Sequence, residues 1–169
     1  MSALRNTPLA AACALCGLLL ATPQWNRAAA HDEHQHAAHA DHAFAAGEPG
    51  TTKLAHRIVE IVLNDAGGDM VISPDRLEVS RGEQVMFVLK NAGAIDHEFL
   101  IDTIANNAAH QVQMAANPDM HHDDPNGRRL KPGETAELIW RFTRPGSFEM
   151  ACLIPGHYES GMKGAIVVK

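Results

Sequence analysis

Cys152-Leu153-Ile154-Pro155-Gly156-His157-Tyr158-Glu159-Ser160-Gly161-Met162, followed by the run Gly164-Ala165-Ile166-Val167-Val168, puts a thiol, an imidazole and a thioether on one short loop ahead of a closing β-type segment. Soft sulfur suits Cu(I) and imidazole suits either copper oxidation state, so one Cys and two His with a weak axial Met hold both. The loop lacks a second histidine. His97, in Asn91-Ala92-Gly93-Ala94-Ile95-Asp96-His97-Glu98-Phe99 between two strand-like runs, is the candidate.

Working outward, the segments around this loop are short, β-branched and punctuated by Gly, Pro and Asn. Strands are expected over 56–63, 76–80, 84–90, 97–102, 135–142, 147–152 and 163–169, with a shorter one over 70–72. In 84–90, Val85, Phe87 and Leu89 alternate onto one face, the period of a half-buried strand. Met150 lies two residues before Cys152, so alternation sends both inward, and Met150 reads as packing. Short strands at regular spacing predict an all-β sandwich rather than a helical or βαβ fold. One stretch breaks the rhythm. Residues 104–117 are helix-compatible and Pro118 stops them, which places a short helical insertion over about 103–129.

The chain begins differently. Arg5, an apolar stretch from about Leu9 to Ala21 and the triplet Ala28-Ala29-Ala30 read as a secretory signal peptide over 1–30. The apolar stretch falls short of the ~20 residues that a spanning helix needs, so no membrane span is expected after cleavage. Cys13 and Cys16 would leave with it, and Cys152 would be the mature chain's one thiol. A lone thiol in an exported, oxidising compartment such as the periplasm is explained by metal ligation. Removal of residues 1–30 takes away Arg5 and Arg27 of fourteen basic residues and none of twenty acidic ones, leaving a formal charge of −8. That balance argues against a nucleic-acid partner.

Residues 31–52 hold His31, His34, His36, His39 and His42 with Ala, Gly and Pro, and one large apolar side chain, Phe44. Such a stretch is expected to be a flexible His-rich tail, either a solvated leader or a site of weak copper capture by neutral imidazoles. The domain proper is then 53–169. Within the insertion, His110 and Met114 share a helix face, and with Met120, His121 and His122 they offer the imidazole and thioether palette of a second copper site. The alternative is a solvated loop with its methionines packed inward.

From about Ile58 to Lys169 the chain resembles the cupredoxins, the small blue-copper proteins that include azurin, plastocyanin and pseudoazurin. The resemblance is carried by Arg81-Gly82-Glu83-Gln84-Val85-Met86-Phe87 with Asn91 and His97, by Leu130-Lys131-Pro132-Gly133-Glu134-Thr135, and by Pro145 through Met162. It implies a Greek-key sandwich with one type 1 copper, held by His97, Cys152 and His157 in a plane with Met162 axial. Glu98 departs from the pattern: many members have asparagine there, hydrogen-bonded across to the cysteine loop.

The His-rich leader makes the chain look like the periplasmic copper-tolerance cupredoxins of the CopI type. That reading implies copper ions, and a redox or copper-export protein, as partners. The competing reading is a soluble one-electron carrier of a respiratory or photosynthetic chain. An oxidase or nitrite reductase is disfavoured, because the His-X-His and His-Cys-His sets for extra catalytic coppers are missing; only a weak Cu(I) oxidase activity stays open. The spare His and Met residues favour copper handling, since a carrier has no use for them.

Overall fold

The computed structural model describes residues 44–54, 56–117 and 124–169. The signal peptide, the tail histidines from His31 to His42, and Met120, His121 and His122 lie outside the described residues. The described residues form strands β1 Gly47–Pro49, β2 Arg57–Asn64, β3 Val71–Ser73, β4 Arg76–Val79, β5 Gln84–Asn91 and β6 His97–Asp102, helix α1 Ile104–Ala116, then β7 Gly127–Leu130, β8 Thr135–Phe142, β9 Gly146–Ala151 and β10 Lys163–Val168. They build two five-stranded sheets, ordered β1-β8-β5-β2-β3 and β4-β10-β9-β6-β7.

Alternation decides which side chains enter the core. In the antiparallel register of β5 and β8, Val85 faces Trp140 and Phe87 faces Leu138, and all four are buried. Ile61 of β2 runs parallel beside Leu89. The second sheet answers with Phe99 and Ile101 of β6, Phe148 and Met150 of β9, and Ile166 and Val168 of β10, packed into the same core. Phe87 joins the sheets, with ring centroids 5.3 Å from Phe99 and 6.3 Å from Phe142. Met150 is fully enclosed in this core, as its strand position requires.

β6 is buried along almost its whole length. Leu100 turns away from the main core and packs with Met114 of α1, Ala151 and Leu153. The helix starts where its sequence dictates: Thr103 caps it, accepting from the Asn106 amide at 3.1 Å. Buried Asn107 on its inner face donates to the Glu149 carboxylate of β9 at 3.0 Å.

Two boundaries differ from the expectation. The stretch read as tail contains β1, paired with β8 so that Gly47 faces Phe142 and Pro49 faces Trp140. Ala46 is buried, Phe44 stands edge-on to Trp140 at 5.3 Å, and the Gln84 amide bonds both the N–H and the C=O of Thr51. A three-residue strand of Gly, Glu and Pro has no alternation to read; partners distant in sequence hold it. The stretch read as insertion likewise takes in most of β7, which among the described residues pairs with β6 alone, Glu98 facing Arg129. Charged residues are normal on such an edge strand and hide its pattern.

Candidate metal centre

β6 and β9 are antiparallel neighbours, with Leu100 facing Ala151. This pairing brings His97, the first residue of β6, to the same end of the sheet as Cys152, which follows β9. The loop from Cys152 then folds over that end. The His157 amide donates to Ile154 O, the Met162 amide to His157 O, and the Cys152 amide to Met162 O, each at 3.0 Å. Two loop glycines take positive φ, Gly156 at 89° and Gly161 at 100°. The space about Gly156 is open, so an added Cβ meets no atom there and only the left-handed backbone resists it. Gly156→Ala is therefore expected to cost about 1–2 kcal/mol, lowering the copper-free melting temperature by about 5 °C without changing copper stoichiometry, as calorimetry and metal analysis would show.

His97 Nδ1 lies 3.3 Å from His157 Nδ1, which lies 3.4 Å from Cys152 Sγ. Among the described residues, His97, Cys152 and His157 are the group of His, Cys or acidic side chains whose ligand atoms all fall within 4.8 Å of one another. All three are buried, as is Met162, which the backbone bonds above tie to Cys152 and His157. Burial pushes the Cys152 thiol up to about 12 and holds both imidazoles below the usual histidine value. Near neutral pH the pocket thus holds two neutral imidazoles and an un-ionised thiol, a donor set short of one cation. Thiolate and imidazole together match copper, and the cluster, next to Met162, can hold one copper ion.

The neighbours of the ligands were only partly visible in the sequence. Glu98, which departs from the family pattern, makes the missing cross-link in another way: its amide donates to Cys152 Sγ at 3.3 Å, and its carboxylate accepts from the Leu153 amide at 3.3 Å. Buried Asn91 braces the loop before His97, donating to Ile95 O and Leu130 O and accepting from the Gly93 amide. Tyr158, next to His157, bonds Glu149, so the insertion helix and the ligand loop share one buried carboxylate. Asp65 went unread. It sits 32 residues before His97, and no local pattern connects the two; the structure sets its Oδ2 3.2 Å from His97 Nε2.

The second proposed cluster is divided. Met114 is buried against Leu100, Ala151 and Leu153, the inward-packing alternative, while His110 is half-buried on the same helix and outside the metal-ligand group. Met120, His121 and His122 lie outside the described residues, as do the tail histidines.

A two-sheet sandwich carrying a buried Cys and two His beside a Met at one end defines a copper-binding cupredoxin. The chain belongs to the copper binding proteins of the plastocyanin/azurin family, whose pattern matches residues 59–169. It is 46% identical over 134 residues to the copper-resistant cuproprotein CopI of Rubrivivax gelatinosus, covering 79% of this chain and 78% of that protein. Against the protein of the same name from Pseudomonas aeruginosa it is 38% identical over 157 residues, 76% of this chain and 84% of that one. The fold is shared with the dithionite-reduced auracyanin of Roseiflexus castenholzii, with a TM-score of 0.57 at 23% identity over 69% of this chain and 99% of that one. No helix among the described residues is long and apolar enough to cross a membrane.

Proposed function

We propose that the protein is a periplasmic copper-handling cupredoxin that serves copper tolerance, with His97, Cys152 and His157 as its strong ligands and Met162 as a weak axial one. The observation that carries this reading is the buried cluster of one thiol and two imidazoles, supported by likeness over most of the chain to proteins named for copper resistance. Copper bound there supplies a one-electron couple between Cu(I) and Cu(II). The chain's own part is to keep ligands and geometry ready for either state. β6 holds His97 and β9 delivers Cys152 just past its end, Glu98 ties the two segments together at the sulfur, and the loop bonds set His157 and Met162.

Export follows from the signal-like first thirty residues, and capture of further copper from the His-rich tail. A one-electron carrier needs the same prearranged ligands, so stoichiometry and phenotype separate the two readings. Metal analysis and visible spectra of the mature protein are expected to show more than one copper per chain. Cys152→Ala should remove the coloured copper alone, and removal of residues 31–43 should lower the total. Cells lacking the protein should be copper-sensitive. A single copper lost with Cys152, unchanged by tail removal and accompanied by no copper sensitivity, would sink the tolerance reading in favour of electron transfer.

A further inference from the structure

We infer that Asp65 is a positioning residue of the copper centre: its carboxylate holds the outer nitrogen of His97, aims the inner nitrogen at the metal and biases the bound ion toward Cu(II). The inference rests on His97 being a ligand, as proposed above.

The two nitrogens of His97 face different partners. Nδ1 points inward, 3.3 Å from His157 Nδ1, and Nε2 points outward, 3.2 Å from Asp65 Oδ2. A neutral imidazole carries one N–H, and an ionised carboxylate only accepts. The proton of His97 therefore sits on Nε2, which leaves the Nδ1 lone pair facing the thiol and the second imidazole. A carboxylate on the far nitrogen also makes the imidazole more electron-rich, as in carboxylate–histidine–metal arrays generally.

Asp65 is itself fixed. It follows β2, and its carboxylate accepts from the Ala94 amide at 2.9 and 3.0 Å and from the Ile95 amide at 3.0 Å, so the loop ahead of β6 clamps it. Its side chain is 12% exposed, so it sits at the rim of the site with its carboxylate turned in to these amides and to His97. Gly93 gives separate support. A Cβ there would stand 2.5 Å from Asp65 Oδ2 and 2.7 Å from His97 Nε2, on top of the very contact in question. Glycine at this position serves close approach.

A fixed negative charge beside a ligand favours the more positive metal ion, so the bridge lowers the reduction potential. The test uses the copper-loaded mature protein with Asp65→Asn, which keeps an acceptor of the same shape but no charge, and Gly93→Ala, which wedges the carboxylate off the ring. In both, copper is expected to stay bound, while the ratio of Cu(II) to Cu(I) at a fixed applied potential falls about tenfold. For a one-electron couple that is a rise of 59 mV, read by spectroelectrochemical titration of the visible band. Bound copper with an unchanged ratio in Asp65→Asn would overturn the inference while leaving His97 a ligand. Copper uptake and spectrum insensitive to His97→Ala would instead overturn the ligand set, and this inference with it. Nitrogen-15 NMR of the wild-type Cu(I) protein needs no variant to fold: a His97 Nε2 proton slow to exchange is expected, and a bare or freely exchanging Nε2 would refute the bridge.

Discussion

Replacement of Cys152 by serine is expected to abolish the visible band and weaken copper binding at the buried site by at least about a hundredfold, more than removal of any group around the ligands would cost. Sulfur is the ligand here that best suits Cu(I), and an alcohol in its place is a poor donor. Because burial keeps the copper-free thiol un-ionised up to about 12, binding must displace its proton. Wild-type affinity should therefore rise about tenfold per pH unit through the neutral and mildly alkaline range, and competition titrations should show that slope vanish in Cys152→Ser. The dependence steepens only when pH falls well below the ordinary histidine value, to where the lowered imidazoles take up protons that binding must also displace.

The same shifts set the stability of the copper-free fold. A thiol whose folded value stands above its ordinary 9.0 favours folding below that value, and the benefit drains away as pH rises toward about 12. The lowered imidazoles act from the other side: their contribution is present above the ordinary 6.5 and is lost as pH falls. Denaturation midpoints of the copper-free protein should peak between the two. A stability rising steadily to pH 10 would contradict the burial of Cys152.

Phe87→Ala is expected to be the most damaging single change away from the ligands. Phe87 is fully buried at the centre of β5 and meets Phe99 from the facing sheet and Phe142 from its own. Truncating such a ring costs about 3–5 kcal/mol in lost transfer energy and cavity, against the 5–15 kcal/mol that holds a typical domain together. The copper-free melting temperature should drop by about 15 °C. Copper held at the buried site stabilises the fold to the extent that it prefers the folded chain, so at free metal about a thousandfold above that site's dissociation constant it restores up to about 4 kcal/mol. The variant should thus look far healthier loaded than stripped. With binding intact the loss relative to wild type should be the same in both forms, and a variant whose melting temperature does not rise at saturating copper would mean that metal binding and folding are not coupled.

How much was legible in advance depended on where the determining contacts lie. The strands β2, β5, β6, β8, β9 and β10 each carry their own alternation or apolar run, and α1 has its cap and its stopping proline within the local sequence. The ligand loop carries its Cys, His and Met within eleven residues, with glycine at the turn. β1 and β7 escaped because each is short, polar or glycine-bearing, and is held by a partner far along the chain. Met114 shows the limit of a palette argument: one thioether on a helix face reads as ligand or as core, and only the fold reveals that Leu100 and Leu153 pack against it.

By itself, then, the order of residues determined a sandwich of short strands and the chemistry of the metal it takes, because periodicity and the identity of donor atoms are local properties. The tertiary structure decided the surroundings of that metal. β6 beside β9 brings His97 to Cys152; Glu98 donates its amide to the sulfur; Asp65, just past the end of β2, reaches His97 through the gap that Gly93 leaves. Those contacts join residues 32 to 55 positions apart, and only chain folding sets which side chains such distances bring together.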